Sequence, residues 1–259
     1  MRGYPLSRKI LLLYFLLALV QPVLAQAPDP RVADFKKRVA AITAQRRDGA
    51  EENEAAQESA LKTLDGMILD ELNSAAPRDI AALNRRLAGL VAQEPPLGES
   101  YALISLGATP SGAGYYALVV NMGVSGPSAL RLYPPSAEGY KLAARIDRYA
   151  QRDFFDDYLE VVPIKASDVL FVTVSGRTDE LKTGVFAAWR FKYEKLEGVW
   201  ASEPLEFSSY EYKPDGFHIR YCVKEDEDNP RRCALMARER HLWDGSFWRL
   251  AEREEFAPK

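Results

Sequence analysis

From Phe35 onward, apolar residues recur at the spacing of one helix face. Phe35, Val39 and Ile42 form a first stripe, and Asp29-Pro30 before it offers an N-cap followed by proline at the first helical position. After the polar stretch "RRDGAEENE", Leu61, Leu64, Ile68 and Leu72 make a second stripe. "NSAAPRD" interrupts it, and Ile80, Leu83, Leu87, Leu90 and Val91 make a third. Most intervening positions are Ala, Glu, Gln, Lys or Arg, which suit a helix. The pattern predicts three helices over residues 29–93, the second and third paired as an antiparallel hairpin. The stripes are narrow and alanine-rich, so each must lie on another helix, on the rest of the chain or on a second copy. Packing onto the same chain is favoured, because no sustained heptad is present.

The periodicity changes at "QEPPLGES", residues 93–100. Tandem proline ends the helix and glycine loosens the next few residues, so 94–99 read as a linker. Beyond it, short runs of Tyr, Val, Phe and Trp alternate with turn residues, the signal of antiparallel strands. These runs fall into three similar passages. "ESYALISLG", "DDYLEVVPI" and "SSYEYKPDG" open them, with Tyr101, Tyr158 and Tyr210 in corresponding places. The second strands are "YYALVVNMG", "VLFVTVSG" and "FHIRYCV". The third are "SALRLY", "GVFAAWRF" and "CALMARER", and the fourth "GYKLAARID", "EGVWASE" and "SFWRLAERE". The expected fold is therefore mainly β with an α-helical N-terminal segment, the β part being three four-stranded antiparallel meander repeats of roughly 50 residues over 100–254. Such a unit resembles a β-propeller blade in architecture. No Gly-His…Trp-Asp signature and no kelch-type glycine pair stands in register. The units could close as a very small propeller, bend as one sheet, curl as a barrel-like meander, or form half of a ring completed by a second chain.

The N-terminus changes the picture of location. In "MRGYPLSRKILLLYFLLALVQPVLAQAPDP", Arg2, Arg8 and Lys9 precede an apolar run from Ile10 to Val20, and Val23-Leu24-Ala25 supplies a cleavage site after Ala25. That is the pattern of a signal peptide over 1–25, with a run short of the roughly 20 residues that cross a bilayer. A periplasmic or secreted protein is expected, with no stable membrane insertion after cleavage. The whole chain has a formal charge of −3 and no basic block, and loss of the leader makes it more acidic. Nucleic acid is therefore not an expected partner. An envelope protein or extracellular ligand is, with homo-oligomerisation open.

Candidate chemistry is sparse. Asp156 and Asp157 look like a paired acid, but they stand at the entrance to a repeated strand, where short polar residues commonly serve turns. Cys222 and Cys233 flank "VKEDEDNPRR" in adjacent strands, and in an exported chain they are expected to form a disulfide, in preference to a zinc site with His218 and His241. "EDEDN" lacks the central glycine and late glutamate of a calcium loop, and reads as a hairpin tip. "GVSGP" at 123–127 has proline where a nucleophile elbow has glycine, and "GAG" at 112–114 is a turn. Trp200 and Trp248 hold equivalent places in fourth strands and are expected in the core, whereas Trp243 is the more exposed aromatic. No cofactor is expected. In a four-strand meander the loops between strands two and three share an end with the connectors between units. That end would gather Arg148, Arg152, Phe154, Arg177, Asp179, Glu180, Asp226, Asp228 and Arg231 as a mixed-charge binding surface, with Trp243 as a further contact. The expectation is a binding or assembly module without catalysis. The alternative is a secreted hydrolase acting on glycans through Asp156, Asp157, Asp179 or Glu180.

Overall fold

A computed structural model of the chain describes residues 30–47, 54–74, 79–91, 100–109, 111–121, 128–147, 158–165, 169–176 and 182–258. These residues form three helices: α1, Pro30–Arg47; α2, Glu54–Leu72; and α3, Ile80–Val91. Asp79 caps α3, its Oδ1 accepting the Ala82 N–H at 2.8 Å. The stripes are buried as their spacing requires, with Phe35, Leu61, Leu64, Ile68 and Leu72 fully enclosed.

The pairing of the helices differs from expectation. Arg31 reaches Asp70 at 2.6 Å and Arg38 bonds the Ser59 hydroxyl, so α1 and α2 run antiparallel along each other. Helix α3 lies mainly on the first β-strand, tied to α2 by the Arg86–Glu71 ion pair. Its Asn84 explains why. The side-chain amide donates to the Leu103 carbonyl at 2.9 Å and accepts the Leu103 N–H at 2.7 Å, occupying the open edge of that strand as a neighbouring peptide would.

The strands make three four-stranded antiparallel sheets. The first contains β1 (Ser100–Ala108), β2 (Gly114–Asn121), β3 (Ser128–Tyr133) and β6 (Ala144–Asp147), with a small hairpin of β4 (Pro135–Ser136) and β5 (Gly139–Tyr140) inserted. The second contains β7 (Tyr158–Ile164), β8 (Val169–Gly176), β9 (Gly184–Lys192) and β10 (Lys195–Ala201). The third contains β11 (Ser209–Lys213), β12 (Gly216–Asp226), β13 (Asn229–Trp243) and β14 (Trp248–Phe256). Within each sheet the strands pair in chain order, apart from the inserted hairpin.

That hairpin corrects the reading of "GYKLAARID" as one strand. Only Ala144–Asp147 pairs with β3. Tyr140 is held elsewhere, because Asn73 at the end of α2 accepts its N–H at 2.7 Å and donates to its carbonyl at 3.0 Å. Gly139 makes the approach possible: its φ is +111°, and a Cβ there would collide with Asn73 Oδ1.

The layers follow from which faces are apolar. One face of the first sheet, with Tyr101, Leu103, Leu118, Val120 and Tyr133, packs on the helices. Its other face, with Leu106, Val119, Leu130 and Leu132, meets Leu159, Val161, Phe171 and Phe191 of the second sheet. The far side of the second sheet, with Leu170, Val172, Val174 and Phe186, meets Phe217, Ile219, Ala237 and Trp248 of the third. Helices and sheets thus stack in sequence order, and each shared core buries side chains worth roughly 1.5–3 kcal/mol apiece.

One polar network crosses the first interface. Arg131, in the middle of β3, has no exposed side-chain surface, and its guanidinium grips Asp65 of α2 through Nε at 2.8 Å and a terminal nitrogen at 2.8 Å. The Tyr133 hydroxyl donates to the same carboxylate at 2.5 Å, and Glu58 binds both Arg131 and Arg145. Together these bonds satisfy the buried charge and fix α2 over β3.

The three opening tyrosines are not interchangeable. Tyr101 faces the helices beside Phe35, and Tyr210 faces back toward the second sheet. Tyr158, however, faces forward toward the third sheet, and Leu159 takes the backward-facing place. A one-residue offset in a strand reverses every side chain, so the likeness of the three passages does not extend to side-chain direction in the middle one.

Candidate functional site

The outer face of the third sheet has no layer above it among the described residues. Along β12, Phe217, Ile219 and Tyr221 point inward and are buried, leaving His218 and Arg220 outward. The register places His218 opposite Arg240, and Arg220 opposite Arg238. On the flanking strands, Glu211 lies opposite His218 and Ser209 opposite Arg220, while Glu252 lies opposite Arg240 and Glu254 opposite Arg238. Three guanidiniums and an imidazole therefore form a two-by-two array. With Lys213 and Asp215 they line a groove of about 590 Å³.

The members of the array differ in how they are compensated. Arg240 Nε binds Glu252 at 3.2 Å, and a terminal nitrogen donates to the Asp215 carbonyl at 3.3 Å. His218 Nε2 lies 3.2 Å from Asp215 Oδ1, and that hydrogen bond holds the Asp215 carboxyl below its usual range. Arg238 approaches Glu254 only to 3.8 Å. Arg220 has no carboxylate partner among the described residues. Its guanidinium lies over the Phe256 ring at 5.4 Å, and that of Arg238 lies over the same ring at 5.6 Å. Two like charges directly opposed on neighbouring strands oppose folding.

Behind this face, His241 points into the core. It is 3% exposed, its ring centroid 4.7 Å from Trp200 and stacked on Trp248 at 6.1 Å. Its Nε2 lies 3.0 Å from Glu239, which also accepts the Tyr221 hydroxyl at 2.8 Å. Burial lowers the His241 pKa, an effect that Glu239 opposes. Burial also raises the Tyr221 hydroxyl to about 12. Trp200 and Trp248 thus belong to the core, as their places in the fourth strands suggest.

Cys222 and Cys233 are bonded to each other. The alternative zinc site is overturned: both sulfurs are consumed, and His218 and His241 lie on opposite faces of the sheet. Three register irregularities cluster between Cys222 and Asp226, so the sulfurs meet although Cys222 lies opposite Met236.

Of the residues singled out in the sequence, Asp226, Asp228 and Arg231 come together at the tight β12–β13 tip. There Asp226 accepts the Asp228 N–H at 3.0 Å and Asn229 accepts the Arg231 N–H at 3.1 Å, so the side chains of Asp226 and Asn229 shape the turn. Trp243 stands at the other end of β13, about 45 Å away for a strand of this length. It is half-buried beneath the Arg190 guanidinium, and the exposed aromatic of its hairpin is Phe247. Arg148, Arg152, Phe154, Arg177, Asp179 and Glu180 lie outside the described residues. So do Asp156, Asp157, "GVSGP", the linker 94–99 and the leader 1–25. The array of Arg220, Arg238, Arg240 and His218 was not anticipated. Its signal is the strict alternation in "FHIRYC" and "MARERH", which puts those four residues on one face once the two strands are set in register.

No helix of the described residues is long and apolar enough to cross a membrane. No protein-family model, curated protein or solved structure matches the chain.

Proposed function

We propose that this chain is an exported binding module whose ligand-facing surface is the outer face of the third sheet. The leader pattern over 1–25 and the Cys222–Cys233 disulfide support export to an oxidising compartment. We read the three sheets as blade-like units capped by helices at one end of the stack. Supporting that reading, their first strands lie side by side: β7 packs close to β1, and β11 meets β7 where Tyr210 bonds Glu160 and the Tyr212 hydroxyl accepts the Lys165 N–H.

One observation carries the functional reading. Both faces of the first and second sheets are covered, whereas the third exposes an arginine array with one guanidinium lacking a carboxylate partner among the described residues. A like-charge pair in which Arg238 meets Glu254 only at 3.8 Å and Arg220 meets no carboxylate among the described residues is retained at a cost in stability that an anionic ligand would relieve. The experiment is capture from envelope extract and culture medium by wild-type protein and by the Arg220→Glu/Arg238→Glu double variant. The expected outcome is one anionic partner or ligand retained by the wild type, released as salt rises and lost from the double variant. Equal capture by both proteins removes the face from consideration.

A further inference from the structure

Resting on that reading, we infer that the Arg220–Arg238 corner is a binding site for the phosphoryl group of a small, soluble phosphomonoester. The two guanidiniums stand on directly opposed residues of adjacent strands, and both lie within 5.6 Å of the centre of the Phe256 ring, so two forks meet at one corner of the sheet. A carboxylate has two oxygens and one charge, and is saturated by a single fork. A phosphomonoester carries a charge of about −1.5 to −2 and three terminal oxygens, enough to engage both forks and to balance both cations. The Ser209 hydroxyl, opposite Arg220 on β11, borders the same corner and can donate to a third oxygen. Arg240 is already held by Glu252 and by the Asp215 carbonyl, so the grip belongs to Arg220 and Arg238.

The rim sets the size of the ligand. Glu211, Asp215, Glu252 and Glu254 surround the array and line the same groove. Their charges repel an extended polyanion or an anionic bilayer, both of which must bring further negative charge across the rim. A compact phosphoryl group on a small neutral or amine-bearing molecule brings no further negative charge across that rim. The residues that line the groove are polar or charged apart from Tyr210, so the groove offers little apolar surface to receive acyl chains.

The test is titration calorimetry at low ionic strength on the chain as the cell processes it, with inorganic phosphate, glycerol 2-phosphate, acetate and vesicles containing phosphatidic acid as probes. Phosphate and glycerol 2-phosphate are expected to bind, with acetate at least about tenfold weaker. Arg220→Lys keeps the charge and the stem but removes the fork, and is expected to weaken phosphate binding about tenfold. Arg238→Gln is expected to weaken it further, while Arg231→Gln at the hairpin tip leaves it unchanged. A melting curve on each variant confirms folding. Acetate bound as tightly as phosphate refutes the phosphoryl assignment while leaving an anion-binding face intact. Stronger attachment to vesicles refutes the soluble ligand. Phosphate binding that is absent, or indifferent to Arg220 and Arg238, refutes the site.

Discussion

His241 shows how a single buried side chain gives this fold a pH response. It is enclosed by Trp200 and Trp248, and its Nδ1 has no hydrogen-bond partner among the described residues. Burial lowers its pKa below the ordinary 6.5, so the folded chain binds this proton less readily than the unfolded chain does. Stability therefore rises with pH across the interval between the folded and unfolded values. The contribution is complete above about pH 6.5 and is lost as pH falls through the lowered folded value. Urea denaturation between pH 7.5 and 5 is expected to show this loss, and His241→Phe, which fills the same aromatic pocket without titrating, is expected to flatten it. A wild-type profile with the same slope as the variant would mean that His241 does not control it. Arg131 is a second buried ionisable side chain, one that stays charged. Nothing in "SALRLY" marks its guanidinium as buried, yet alternation puts it on the face with Ala129 and Tyr133, and Asp65 sits within the α2 stripe to meet it.

At the scale of elements, docking is done by side chains that imitate peptides. Asn84 on α3 and Asn73 after α2 each offer one donor and one acceptor to a strand residue. Asn84→Ala leaves the Leu103 N–H and carbonyl without these bonds, at an expected cost of about 1–3 kcal/mol, and frees the edge of β1. Hydrogen exchange at Leu103 should quicken more than at Val119 in the next strand. Asn84→Asp keeps the acceptor but turns an oxygen on the Leu103 carbonyl, and should not restore protection. Uniform acceleration through both strands would indicate global destabilisation in place of local undocking. The helices and most strands were legible in the sequence because their periods and turn residues are local signals. The helix partners were not, since a lone asparagine carries no mark of its acceptor, and nor was the break in "GYKLAARID", which Asn73 imposes from 67 residues away. The arginine array was half legible. Alternation assigns its members to one face, but their adjacency depends on a register set partly by the irregular pairing beyond Cys222.

For the whole molecule, the order of layers decides what can be removed. The helices cover Leu103, Leu118, Val120, Ala129 and Tyr133, a face as apolar as those between the sheets. Deleting residues 30–91 exposes that face together with Arg131, stripped of Asp65 and Glu58. The truncated chain is expected to self-associate, with a mass by light scattering above that of one chain. A stable monomer with an unchanged melting temperature would show that the sheets do not depend on their cap.

The Asp65–Arg131 bond spans 66 residues, and the strand bearing Arg131 is synthesised long after α2. Until β3 has left the ribosome, the apolar stripes of the emerging N-terminal segment lack Ala129, Arg131 and Tyr133, the part of the sheet that fixes α2 in place. A nascent chain halted before residue 128 therefore presents Leu61, Leu64 and Ile68 to whatever holdase is at hand. Translation arrest on either side of β3 should mark the step at which this region stops being a chaperone client and becomes resistant to protease.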